Sequence, residues 1–128
     1  MDVAKRIRNM DIRGAGTIAR AAVQALKDYA VIQETTIKQE FDDNLSKAAE
    51  ILLSTRPTAV SLPNAVRIVM AYKGASVNQA RSDLVRLADE FISTSQEATK
   101  RIGLIASQRI RNGDTIMTHC NSQAAISV

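Results

Sequence analysis

Apolar residues recur every three or four positions along most of this chain, and that spacing predicts helices. Residues 3–10 read as a short helix with Ile7 and Met10 on one side. The stretch from Asp11 to Thr17 interrupts it. A second helix follows over residues 17–32. Ile18, Ala22, Ala25 and Tyr29 form one stripe, and Ala19, Val23, Leu26 and Ala30 lie beside it. Arg20, Gln24, Lys27 and Asp28 make its polar side. A third helix is expected to start at a Thr35 or Thr36 cap and to run to about Ser54, with Ile37, Phe41, Leu45, Ala48 and Leu52 in register.

Pro57 ends that helix, because the residue before a proline is pushed out of the α region. Ser61 then serves as the expected cap of a fourth helix, with Pro63 in its first turn. Leu62, Val66, Val69 and Met70 form its buried side, and Gly74 ends it. The longest periodic segment is 77–111, with Leu84, Leu87, Ala88, Phe91, Ala98, Ile102, Ile105 and Ile110 on one stripe. A helix of some 30 residues is about 45–50 Å long, beyond the reach of a compact bundle of this size. The segment is therefore a spine leading to something else, or it breaks near Gly103. At Asn112-Gly113-Asp114 the helical period ends. A turn, a short apolar strand, a polar corner and the first turn of a helix follow. The expected fold class is all-α, with a helical domain over 1–112, and 113–128 as the opening of an α/β domain.

Composition narrows the choice. The 128 residues are 45% hydrophobic but only 3% aromatic, with no Trp. The core must therefore be built from Ala, Leu, Ile and Val in closely packed helices. Net charge is +4, with basic residues spread among acidic ones and no stacking aromatics beside them. That pattern describes a solvated surface rather than a nucleic-acid face. No apolar run approaches a membrane span and no signal-peptide core follows the first residues, so a cytoplasmic protein without membrane partners is expected. The one cysteine excludes an internal disulfide and agrees with a reducing compartment.

Three segments carry candidate chemistry. Arg13-Gly14-Ala15-Gly16 precedes a helix, where free backbone amides and an arginine suit a phosphate. The same residues also suit a plain helix–helix turn. Arg56, on the stiff Thr55-Arg56-Pro57-Thr58 loop, either clamps a phosphate or caps the helix before it. Cys120 lies between the expected strand and helix, where helix amides stabilise a thiolate, although a small buried residue fits the position too. His119 and Cys120 are strand neighbours facing opposite ways, and no second Cys or His exists to complete a zinc site. Neither metal nor cofactor is expected.

Taken together and in order, these segments resemble the archaeal ribose-1,5-bisphosphate isomerases. They are Arg13 to Gly16, the run Leu53 to Asn64 containing Thr55-Arg56-Pro57-Thr58, and the run Gly113 to Ser122 containing His119-Cys120-Asn121-Ser122. The wider family includes methylthioribose-1-phosphate isomerase and the alpha, beta and delta subunits of translation initiation factor two-B. The resemblance covers nearly the whole chain. It implies a helical N-terminal domain joined to a Rossmann-like domain, of which this chain would hold only the first strand and corner. It implies aldose–ketose isomerisation of ribose 1,5-bisphosphate to ribulose 1,5-bisphosphate in AMP salvage, by a homo-oligomer.

On that resemblance Cys120 is the catalytic residue that takes a proton from the sugar. Arg13, Gly14, Ala15, Gly16 and Arg56 match phosphate-binding positions. The general-acid aspartate belongs to the second domain and Asp114 is not its counterpart, so the fragment alone is expected to be inactive. The alternative is a regulatory or scaffold subunit that works by contact with initiation factor two. An all-α module dimerising through its long helix is a third reading.

Overall fold

The computed structural model describes residues 2–119 and 122–128. Six helices are found among them: α1 (Asp2–Arg8), α2 (Ala15–Ile32), α3 (Lys38–Leu53), α4 (Ser61–Val69), α5 (Val77–Ser107) and α6 (Gln123–Ile126). No strand occurs among the described residues, and the all-α expectation holds. None of the helices is long and apolar enough to cross a membrane.

α2 is the central helix and packs against α1, α3, α4 and α5. Its buried residues are Ile18, Ala19, Ala22, Val23, Leu26 and Ala30. Alanine at three of these six positions lets neighbouring backbones approach closely, which a core with so few aromatics requires. Phe41, Leu45 and Leu52 of α3, Leu62 and Val69 of α4, and Leu84 of α5 close around that stripe. Ile7 docks the short α1 on the same core.

Several expected boundaries move, each for a local reason. α1 stops at Arg8 because Met10 adopts a left-handed backbone at φ 63°. The Asp11 amide then bonds the Arg6 carbonyl and the Met10 amide bonds that of Ile7, a Schellman closure that leaves Met10 half-exposed. The α3 N-cap is Ile37, not a threonine, and Ile37 is exposed instead of joining the core stripe. Thr35 still takes part, since its Oγ1 accepts from the Ile37 amide at 3.2 Å and donates to Glu40 at 2.7 Å. Val60, not Ser61, precedes α4 as its cap. α4 also ends earlier than expected, at Val69.

α5 runs unbroken through Gly103 and is 31 residues long. Ser76 and Gln79 form a full capping box at its start, a signature present in the sequence that periodicity alone does not reveal. Its first half joins the core through Val77, Ala80, Leu84 and Ala88. Its second half extends past the bundle and exposes Ile102, Leu104 and Ile105. The turn expected at 112–114 forms: the Arg111 amide donates to Asp114 Oδ2 at 2.7 Å, and the Asp114 amide to the Arg111 carbonyl at 3.1 Å. The strand expected after it does not form over residues 115–119, where Ile116 and Met117 are exposed. A strand needs a ladder partner for its amides and carbonyls, and the described residues supply none. The chain then returns, and α6 packs on α5.

Candidate functional site

The glycine-rich turn and the C-terminal segment, about a hundred residues apart in sequence, meet across one cleft. Ala15, Gly16 and Arg20 of α2, Ser95 and Thr99 of α5, and Ser122, Gln123 and Ala124 line a volume of about 240 Å³. No acidic side chain is among these lining residues.

The turn's geometry follows from its residues. Gly14 is the N-cap of α2 and adopts φ 85°, a conformation that side chains resist. A glycine cap offers no side-chain acceptor, and the first turn of α2 carries no acidic residue. Its leading amides therefore keep the positive end of the helix dipole open to an external anion. In the same turn, Thr17 Oγ1 is buried without a hydrogen-bond partner among the described residues. Arg13 is exposed beside this turn and does not line the cleft; its Nε donates to the Met10 carbonyl at 2.7 Å.

Arg56 lies elsewhere, on the α3–α4 connection, and does not line the cleft. Its carbonyl accepts from the Ala59 amide at 3.1 Å, closing a turn with Pro57 at the second position. The last carbonyls of α3 are served by hydroxyls: Ser54 Oγ donates to Ile51 at 2.8 Å and the buried Thr55 Oγ1 to Leu52 at 2.6 Å. The capping role that the sequence left open to Arg56 is filled at these positions by its neighbours. Cys120 lies outside the described residues, which resume at Ser122. Ser122 Oγ accepts from the Ala125 amide at 3.3 Å and caps α6, so the helix turn expected at this end is present.

Arg20, Ser95, Thr99 and Gln123 were not singled out by motif. For Ser95 alone there is a signal, a gap in the apolar stripe of α5 between Phe91 and Ala98 that is filled with Ser93, Thr94 and Ser95. Where the face of α5 turns from apolar to hydroxyl-bearing, the core packing ends and Ser95 and Thr99 are only half-buried.

An all-helical domain whose long helix carries the chain back onto the N-terminus of its central helix is the class defined here. Residues 11–128 match the initiation factor 2 subunit family, and the chain belongs to that family. The ribose 1,5-bisphosphate isomerase of Methanocaldococcus jannaschii is 48% identical over 132 residues, covering 100% of this chain and 42% of that protein. The ribose 1,5-bisphosphate isomerase of Thermococcus kodakarensis is 50% identical, again over 100% of this chain and 42% of that protein. The chain thus spans well under half the length of these curated relatives.

Among solved structures, translation initiation factor eIF-2B, subunit delta, from A. fulgidus superposes with a TM-score of 0.79 at 28% identity. It matches 96% of this chain and 37% of that one. The 5-methylthioribose 1-phosphate isomerase from Pyrococcus horikoshii OT3 gives 0.77 at 32% identity, over 88% of this chain and 33% of that one.

Proposed function

We propose that this chain is the helical part of a cytoplasmic, homo-oligomeric isomerase that converts ribose 1,5-bisphosphate to ribulose 1,5-bisphosphate in AMP metabolism. Residues 1–112 are its helical domain and 113–128 the opening of a Rossmann-like domain. The observation that carries this reading is near-50% identity, over the whole chain, to relatives named for that reaction. The cleft agrees with it, since a helix N-terminus without a side-chain cap lines it together with Ser122, Gln123 and Ala124.

In this reading Cys120 acts as the base. Its thiolate takes the C2 proton as the ring C1–O4 bond breaks and O4 is protonated, which leaves a C1=C2 enol with the phosphate ester still on C1. The C2 hydroxyl then gives up its proton to become the ketone, and a proton delivered to C1 completes the ketose. The amides of Ala15 and Gly16 at the start of α2, with Arg13, hold one phosphate by charge-assisted hydrogen bonds, and Arg56 holds the other. Anchoring both ends of the sugar converts proton transfer into a step within one complex, where effective concentration is high. The acid that returns the proton comes from the part of the relatives' length that this chain does not span.

The likeness to the eIF-2B delta subunit favours a second reading, a regulatory subunit acting by contact with initiation factor 2. Turnover decides between them. The intact gene product is supplied with ribose 1,5-bisphosphate and compared with Cys120→Ser. Conversion that is abolished by the substitution supports the isomerase. Absence of conversion, or equal rates in both proteins, supports the regulatory subunit.

A further inference from the structure

Arg20 stands four residues beyond Gly16 on α2, and its guanidinium reaches two other helices. Nη1 donates to Ser95 Oγ of α5 at 3.1 Å, and Nη2 donates to Gln123 Oε1 of α6. A planar guanidinium holds its donors at fixed angles, so two acceptors engaged at once fix the relation between the elements that carry them. The glycine turn lies against the same group, since a Cβ at Gly16 would sit 3.2 Å from Arg20 Nη1.

α6 depends on such ties. It has four residues and none of them is buried. A single helical turn has no stability of its own, so its place is set by tertiary contacts. One is Ser127, whose Oγ lies 3.2 Å from the Thr99 carbonyl. The other is Arg20. Gln123 follows Cys120 by three residues, a span of at most about 11 Å of chain.

We infer that Arg20 is a positioning residue of the proposed isomerase site, its guanidinium clamping Gln123 to Ser95. The clamp fixes Gln123, three residues beyond Cys120 in the sequence, beside the glycine turn. The inference rests on the isomerase reading for its effect on catalysis, but the clamp itself is measurable without turnover.

The test uses the intact gene product with Arg20→Ala, Arg20→Lys, Gln123→Ala and the Arg20→Ala/Gln123→Ala pair. Amide exchange is followed at Ile126 and Ser127, whose N–H groups bond the Ser122 and Gln123 carbonyls at 3.0 and 2.9 Å. In Arg20→Ala both amides exchange about tenfold faster, the loss expected for a charge-assisted hydrogen bond, while α2 to α4 keep their rates. The kcat for ribose 1,5-bisphosphate falls about a hundredfold with KM little changed, as for a misplaced reacting group. Gln123→Ala reproduces most of the loss, the double variant is no worse than Arg20→Ala, and Arg20→Lys restores little. Unchanged exchange at 126–127, or exchange accelerated equally throughout the core, overturns the clamp. So do additive effects of the two substitutions, or a loss confined to KM and restored by lysine, which marks a direct phosphate ligand. Should the unsubstituted protein show no turnover, the isomerase reading fails, and the exchange measurement still decides the clamp.

Discussion

Ser127 lies on Gly103 so closely that no side chain fits between them. A Cβ at Gly103 would meet Ser127 Oγ at 2.9 Å and its carbonyl oxygen closer still. Gly103 is the one buried residue in the distal turns of α5, and what buries it is the returning C-terminal segment. Glycine inside a helix costs about 1 kcal/mol relative to alanine. Here that cost gives α6 a flat seat.

Gly103→Ala therefore separates two quantities that usually move together. Helix propensity rises by about 1 kcal/mol, so the thermal midpoint does not fall. The α6 seat is lost, so the Ile126 and Ser127 amides exchange faster. A lowered midpoint with unchanged exchange at these amides would mean that Gly103 matters to the core and not to α6.

Arg81 of α5 closes the C-terminal end of α2. Its Nε donates to the Ala30 carbonyl at 3.0 Å and its Nη2 to the Gln33 carbonyl at 2.7 Å. The guanidinium also lies 5.8 Å from the Phe41 ring centre, joining α3 to the same contact. Arg81→Ala leaves two carbonyls at a helix end without their donor. It should lower stability by about 2–3 kcal/mol, read as a shifted urea midpoint at constant slope. Arg81→Lys should recover less than half, because an ammonium cannot span both carbonyls from one position.

The bond between Tyr72 and Asp42 makes part of the fold's stability depend on pH. The phenol donates to Asp42 Oδ1 at 2.7 Å, and Lys38 Nζ sits 2.5 Å from Oδ2. Burial and the neighbouring carboxylate push the Tyr72 phenol well above its ordinary range. For Asp42, burial pushes upward, but hydrogen bonds from Lys38 and Tyr72 and the lysine charge outweigh it and hold the carboxyl below the usual value. The raised phenol adds stability that is fully present below about pH 10 and is lost as pH rises above it. The lowered carboxyl adds stability that is present above about pH 4 and is lost as pH falls below it. Tyr72→Phe should flatten the alkaline loss and cost about 1 kcal/mol at neutral pH. In a Tyr29→Phe background, where Tyr72 is the sole tyrosine, absorbance at the phenolate band should show no ionisation at pH 10.

The elements legible in the sequence were those with a long, uninterrupted apolar period. α2 and α3 follow their stripes from Ile18 to Ala30 and from Phe41 to Leu52, and the burial of these residues matches. The ends were less legible, because a helix terminus is decided by where its last backbone groups find partners. Met10 in a left-handed turn and the Ser76–Gln79 box carry no hydrophobic signal. The region 115–119 shows the opposite limit: a strand-like composition becomes a strand only where another backbone lies beside it. In the site, the glycine turn was visible as a motif. Arg20 was not, because it stood on the polar side of its own helix, and only the return of the chain brings Ser95 and Gln123 within its reach.

Arg56 can be assigned by asking what its loss leaves intact. Its turn is closed by the backbone bond from Ala59, and the Ile51 and Leu52 carbonyls at the end of α3 are held by the hydroxyls of Ser54 and Thr55. Arg56→Ala should therefore shift the thermal midpoint by no more than about 2 °C, as for a substitution away from the structural contacts. In the intact gene product the same substitution should raise the KM for ribose 1,5-bisphosphate by about ten- to a hundredfold, the value of a charge-assisted phosphate contact. Arg56→Lys should fall between, since the charge survives and the fork does not. A midpoint lowered by many degrees with KM unchanged would return Arg56 to its other reading, a cap on the helix before it.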